Sequence, residues 1–444
     1  MTSQKREREI EQYKSRTPNS RALNTEAARY LPGGSSRGTA YFNPYPFFAD
    51  RGEGHYIYDV DDNPYLDFMI NATSLIMGHA HPLVVQALQQ QASRGTAFSV
   101  PTKMQAHMAK ALCDRLPSVD SVRFANSGTE GTLMALRAAR AFTGRHKIAK
   151  FEGGYHGSHE YVSVSVRPAA DKLDPAGPTA IPEYPGQPPS VSKDVIVMPY
   201  NDLEGSQRII REHADELACV IVEPIASAFG YLPAQTDFLE GIRDLTKELD
   251  ILLIFDEVQS FRVGASGAQE LYGVMPDMTT LGKIIGGGMP VGAFGGREDI
   301  MALFDPTDGG AAIPHAGTFN ANPMTLAAGE VVLGHLTSDV YQRLNGLGET
   351  LRRKLRAVFD ELEVSAQVTG IASFFGVHFT SEAITDYRSV VRGDRELRKT
   401  LFMGLLNEGV LLQESCAGSL NILTTESEVD ALVDAIRRVM HRIR

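Results

Sequence analysis

Residues 251–255 read Ile-Leu-Leu-Ile-Phe, an apolar run with no alternation, closed by Asp256 and Glu257. A strand with one wet face alternates polar and apolar side chains. An unbroken apolar run of this length therefore predicts a strand covered on both faces, as in a parallel sheet packed between helices. Short runs at 122–124, 148–151, 219–222 and 278–281 repeat the signal, and helical patterns at 130–143 and 238–248 separate some of them. Strand, helix and strand in turn predict an α/β fold with a mainly parallel sheet flanked by helices and right-handed crossovers. Open sheets of this kind take their ligands at the carboxyl ends of the strands. Here that edge collects Ser127, Tyr155, Glu223, Asp256 and Lys283.

The 444 residues suggest a large domain with a smaller one attached. The expected division is 1–72, an N-terminal helix and hairpin that forms part of the small domain; 73–335, the large domain; and 336–444, a smaller α+β domain. Within 1–72 a helix is expected over 4–30, and a β-hairpin is expected from 55–59 and 65–69. Helices are expected over 339–362, 395–408 and 426–442, with strands within 367–379 and at 420–423. The proline-rich stretch 167–193 has no period and reads as a surface excursion, a candidate lid or interface loop. A net charge of −11 gives no reason to expect nucleic acid. Cys113, Cys219 and Cys416 form neither a metal-spaced pair nor a disulfide framework, which fits a reducing cytoplasm. The N-terminus is charged, not apolar, and no apolar run is long enough to span a bilayer. His79 and His81 have no third ligand nearby and read as loop residues, so no metal is expected.

The chemistry begins with Asp256 and Lys283. A lysine amine can form a Schiff base with an aldehyde cofactor, and a carboxylate can keep a pyridine nitrogen protonated so that the ring withdraws electrons. Taken singly, an Asp after a strand is most often a turn residue and a Lys most often lies on the surface. Other features point to the same edge. Asn126-Ser127-Gly128-Thr129 leads from a strand into a long helix, whose dipole and free amides favour an anion; it lacks both the dinucleotide fingerprint and the P-loop lysine. The segment Gly153-Gly154-Tyr155-His156-Gly157 brings backbone and an aromatic ring close to a flat ligand. Thr318, in a polar loop before a helix, is a second candidate phosphate donor. Arg37 could hold a carboxylate with its fork.

The segments NSGTE, FEGGYHG, FDEVQSFRVG, TTLGKIIGGGMPVGAFGG and AGTFNANP, in this order, resemble class III aminotransferases dependent on pyridoxal phosphate (PLP). The resemblance is greatest to the subgroup of glutamate-1-semialdehyde aminomutase and the β-amino-acid aminotransferases, and covers nearly the whole chain. It implies the type I PLP-dependent transferase fold and a homodimer. It also implies that Lys283 forms the Schiff base and moves the proton, and that Asp256 pairs with the ring nitrogen. Val258 would pack on the ring face opposite Tyr155, and Gln259 would lie near the phenolic oxygen. Ser127, Gly128 and Thr129 would hold the phosphate, with Thr318 reaching it from the neighbouring subunit. His156 and Glu223 complete the expected cofactor-binding set.

The substrate is less well marked. The stretch PGGSSR resembles the β-amino-acid enzymes, in which an arginine at this point binds the substrate carboxylate, so Arg37 is the expected anchor. The mutases have a longer spacing here and carry a glutamate where this chain has Cys416. The β-phenylalanine enzymes carry a mobile arginine where it has Ala417. The implied reaction is amino transfer between an amino-carboxylate, a β-amino acid for preference, and a keto acid. Intramolecular transfer of the mutase type is the alternative. An oxidoreductase is disfavoured by the missing dinucleotide fingerprint.

Overall fold

A computed structural model describes residues 2–307 and 309–443. The chain forms two compact units. One comprises Pro82–Gln342 with Ile384–Arg392; the other comprises Met1–His81, Arg343–Ala383 and Gly393–Arg444.

The first unit is built on a seven-stranded sheet. Its strands are β1 (Ser121–Ala125), β2 (Lys147–Phe151), β3 (Val195–Met198), β4 (Leu217–Val222), β5 (Leu252–Asp256), β6 (Met278–Gly282) and β7 (Gly292–Gly296). Their spatial order is β1-β7-β6-β5-β4-β2-β3. Neighbours run parallel except at β7, which is antiparallel to both β6 and β1. Strand β4 is buried at every position, as an apolar run without alternation requires. Helix α1 (Gly128–Thr143) follows β1 and packs Met134, Ala135, Ala138 and Ala139 into the core. Helix α2 (Thr236–Glu248) leads into β5.

Two strands lie outside the expected runs. Strand β3 lies at the sheet edge, directly after the irregular 167–193 stretch, and a helix at Leu203–Glu212 follows it. Strand β7 reads Gly-Ala-Phe-Gly-Gly and lacks the branched residues that usually mark a strand. Close approach explains part of this: a Cβ on Gly292 would stand 1.9 Å from the carbonyl oxygen of Ser127. The 167–193 stretch contains a 3₁₀ turn at Ala170–Lys172, a bridge from Pro182 to Val164 and a single helical turn at Pro189–Lys193.

The second unit carries two small sheets. In the first, Ala49–Glu53, Tyr56–Asp59 and Pro64–Asp67 run antiparallel, and Val410–Leu411 joins them in parallel. The expected single helix over 4–30 is two, Thr2–Arg16 and Pro18–Ala27. Proline disfavours helical backbone in the residue before it, and Thr17 has φ −125° and ψ 50°. The second sheet joins Gln367–Thr369, Phe374–His378 and Ala417–Ser419. The strand expected at 420–423 therefore lies earlier in the chain. Asn421 turns the backbone instead, accepting the Leu423 amide on its side chain, with Leu420 buried and Ile422 half-buried. Ile70, Asn71, Ala72 and Thr73 have φ of 38°, 50°, 52° and 76°. This is a left-handed turn built without glycine, at roughly 1–2 kcal/mol per residue. Among the described residues, no helix is long and apolar enough to cross a membrane.

Candidate active site

The site is assembled where the sheet strands end. After β1 the chain turns through Ser127, whose hydroxyl accepts the Glu130 amide at 3.2 Å. The Glu130 carboxylate reaches back to the Asn126 amide at 2.9 Å. These bonds fix the first turn of α1 and leave the amides of Gly128 and Thr129 without intrahelical partners at the positive end of the dipole. The Thr129 hydroxyl accepts the Ser158 amide at 3.3 Å, a bond that does not use its own proton. A Cβ on Gly128 would stand 3.0 Å from both methyl groups of Val258, and one on Gly282 would stand 3.3 Å from the nearer of them. Val258 is thus wedged between the helix terminus and the residue before Lys283.

Asp256 ends β5 and is 5 % exposed. Its Oδ1 accepts the Val258 amide and the Thr280 hydroxyl, each at 3.1 Å; its Oδ2 lies 2.8 Å from His156 Nδ1. Thr280 is its register partner across β6, and Lys283 follows Thr280 by three residues. The acid and the amine are therefore delivered by adjacent strands. Lys283 is half-buried and has φ +50°, a conformation that favours glycine. Gln259 is half-buried just beyond Val258.

The 153–157 turn supplies the aromatic ring. Tyr155 is 39 % exposed, so its ring is presented outward instead of filling the core. Its amide donates to Glu223 Oε2 at 2.9 Å, and Glu223 Oε1 takes the Ser227 hydroxyl at 2.6 Å. Burial raises the Glu223 carboxyl and the Tyr155 phenol above their ordinary ranges. His156 is buried, and its Nε2 has no hydrogen-bond partner among the described residues.

Beneath this turn lies a residue that sequence reasoning missed. Lys150 is fully buried, and its Nζ donates to the carbonyls of Gly154 at 2.9 Å and Val164 at 2.6 Å. Burial lowers its amine to about 7. Glu152 is held bidentately by Arg388 at 2.6 and 3.0 Å. The one available signal was a second lysine, inside the apolar part of the strand Lys-Ile-Ala-Lys-Phe.

Among the described residues, no hydrogen bond ties two of the expected residues to this cluster. Thr318 is exposed, at the rim of a cleft of about 480 Å³ beside Phe98, Val100 and Phe319. Asn320 ties its loop to Asn126 at 2.9 Å, but no hydrogen bond joins Thr318 to Ser127, Gly128 or Thr129. Arg37 belongs to the other compact unit, where it is exposed and donates to Asn71. Cys416, in the same unit, is fully buried; its thiol donates to the Arg398 carbonyl at 3.3 Å and is pushed up by burial to about 12.

The residues present suit a phosphate-bearing aldehyde cofactor: an anion-binding helix terminus, a buried carboxylate and a nearby amine. The unpartnered His156 Nε2 beside Asp256 marks a polar surface prepared for more than the protein itself supplies. Comparison with known proteins agrees. Residues 39–441 match the family described as aminotransferase class-III. A glutamate-1-semialdehyde 2,1-aminomutase from Methanothermobacter thermautotrophicus is 42% identical over 89% of this chain and 92% of its own. An omega-transaminase from Sphaerobacter thermophilus is 42% identical with a TM-score of 0.93, over 96% of this chain and 98% of its own. A β-phenylalanine aminotransferase from Variovorax paradoxus is 35% identical with a TM-score of 0.89, over 99% and 98%. The fold is the type I fold of PLP-dependent transferases. The chain belongs to the class III aminotransferases, and its cofactor is pyridoxal phosphate.

Proposed function

We propose that this enzyme moves an amino group from a β-amino acid to a keto acid in two half-reactions, in the cytoplasm and as a homodimer. The observation that carries this reading is the delivery of Asp256 and Lys283 by adjacent strands, with Thr280 bridging to Asp256 and Val258 wedged beside them. The cofactor supplies the electron sink and the carrier for the amino group. Ser127, Gly128 and Thr129 hold its phosphate. Asp256, oriented by His156 and Thr280, keeps the ring nitrogen protonated. Tyr155 and Val258 would flank the cofactor ring, Gln259 would lie beside it, and Glu223 fixes the Tyr155 backbone. Lys283 would hold the cofactor through its Nζ and would carry the proton to and from the substrate carbon. Thr318 serves a second copy of the chain, a role supported by the exposed Phe98, Val100 and Phe319 around it.

For the substrate, Arg37 binds the carboxylate. Its stretch resembles the β-amino-acid enzymes, and its guanidinium is exposed with a neutral partner. Intramolecular transfer is the second reading, favoured by the mutase relative. Against it, the place where the mutases carry a glutamate holds the buried, protonated thiol of Cys416.

The test is the visible spectrum of the PLP-loaded protein with β-phenylalanine. The yellow band should bleach with the donor and return only when a keto acid is added. Arg37→Ala should raise KM for that donor by about tenfold or more, since a charge-assisted fork is lost. Isomerisation of an amino-aldehyde, with no need of a second substrate, would favour the mutase.

A further inference from the structure

We infer that Asn71, carried on the left-handed turn, is a positioning residue that aims the Arg37 guanidinium at an anionic substrate group. The inference rests on the reading of Arg37 as the carboxylate anchor. The Arg37 Nη1 donates to Asn71 Oδ1 at 2.6 Å. Among the described residues this is the only side-chain hydrogen bond of the guanidinium, and it engages one of five donors. The others remain for a carboxylate.

The direction of the Asn71 amide is fixed by its neighbours. The Ser74 hydroxyl has one proton, and that proton is donated to the Asn71 main-chain carbonyl at 2.9 Å. Its oxygen must then accept, and it accepts Asn71 Nδ2 at 3.0 Å. With Nδ2 committed, Oδ1 can only face outward, toward Arg37. The backbone below is equally constrained. Asp67 Oδ1 accepts the amides of Met69 and Ile70, each at 2.8 Å, and its Oδ2 meets His79 Nε2 at 2.8 Å. The turn closes with the Thr73 amide on the Met69 carbonyl at 3.0 Å. Ile70 and Thr73 are buried while Asn71 is exposed, so the left-handed conformation lifts that one amide out of an otherwise buried corner.

The choice of asparagine is chemically telling. A neutral amide orients a guanidinium without cancelling its charge. An aspartate here would form an ion pair and compete with the incoming carboxylate. Both residues tolerate positive φ, as does glycine. Side-chain chemistry can therefore be varied while the backbone is kept.

The experiment measures binding of 3-phenylpropanoate and of 3-phenylpropanol to the PLP-loaded enzyme by calorimetry, with melting temperatures recorded beside it. In wild type the acid should bind more tightly than the alcohol. Asn71→Gly should weaken binding of the acid about tenfold and leave the alcohol unchanged, at an unaltered melting temperature. Asn71→Asp should weaken the acid further, although it keeps the hydrogen bond. In turnover, both should raise KM for β-phenylalanine more than they lower kcat. If Arg37→Ala weakens the acid but Asn71→Gly and Asn71→Asp do not, Asn71 has no positioning role and Arg37 keeps its own. If wild type binds the acid no better than the alcohol, or Arg37→Ala leaves the acid unchanged, the reading of Arg37 falls and this inference with it.

Discussion

The two edges of the central sheet treat the same residue type in opposite ways. At the amino edge, Asp277 precedes β6 and is nearly closed off from solvent. Its Oδ2 takes Arg243 at 2.6 Å and the Leu253 amide at 2.8 Å, and its Oδ1 takes Arg297 at 2.9 Å. Burial alone would raise this carboxyl, but the Arg243 contact and the other donors hold it below its ordinary range. At the carboxyl edge, Asp256 is as deeply buried but meets one histidine and no arginine. Around it, Glu223 is raised, His156 Nε2 has no partner among the described residues and Lys283 sits at positive φ. One edge is electrostatically finished. The other holds its polar groups in an order that the protein does not complete, as expected where strands open into loops and helix N-termini.

Removing the amine should have the largest effect. Lys283→Ala should reduce kcat by about a thousandfold or more, since no other group takes over both the cofactor anchor and the proton. The protein should remain folded, and Lys283→Gly should melt no lower than Lys283→Ala because glycine fits φ +50° without strain. Stopped-flow rates and melting curves together check this. Ordinary multiple-turnover activity in either variant would remove Lys283 from its role.

The paired acids offer a sharper contrast. Asp256→Asn should lower kcat on the order of a hundredfold with little change in melting, because the amide cannot keep a ring nitrogen protonated. Asp277→Asn should do the reverse. It should destabilise the fold by about 3 kcal/mol, since two guanidiniums lose a buried partner, while kcat per folded molecule stays near wild type. Arg243 and Arg297 are partly exposed, which keeps the figure at the low end. Urea unfolding and active-site titration separate the two quantities. Equal kinetic losses at both positions would show that the edges are not divided in this way.

How far the sequence disclosed these edges depended on the kind of signal. The apolar runs at 219–222 and 251–255 announced buried strands, because periodicity survives whatever surrounds it. Asp256, Lys283 and the Ser127 turn could be placed because they sit at the ends of such runs. Strand β7 could not, since its glycines answer to the Ser127 carbonyl, a contact far away in sequence. Asn71 escaped for a related reason: left-handed backbone at Ile70 and Thr73 contradicts local preference and is imposed by Asp67 and burial. Lys150 was hidden because a polar residue in a strand is ordinarily read as facing water.

Lys150 also gives the smallest effect that would bear on the comparison. Its amine is lowered from an ordinary 10.5 to about 7 because burial penalises the charged form, while Glu223, Glu183 and Glu152 pull the other way. Below pH 7 the amine is protonated both folded and unfolded, and the folded state carries the full penalty of a buried ammonium. As pH rises from 7 toward 10.5, the folded amine is already neutral while the unfolded chain still holds its proton, so the fold gains stability. The gain should be on the order of 2 kcal/mol between pH 7 and pH 9. Both carbonyl contacts survive this change, because a neutral amine still has two N–H donors for Gly154 and Val164. Lys150→Met should lose the pH-dependent term and be less stable throughout, leaving those carbonyls unpaired under the turn that carries Tyr155 and His156. Urea unfolding of wild type and variant at pH 7, 8 and 9 reads the difference directly. A constant gap across that range would mean that Lys150 stays charged in the fold, and that even this buried corner of the carboxyl edge is as electrostatically settled as the amino edge around Asp277.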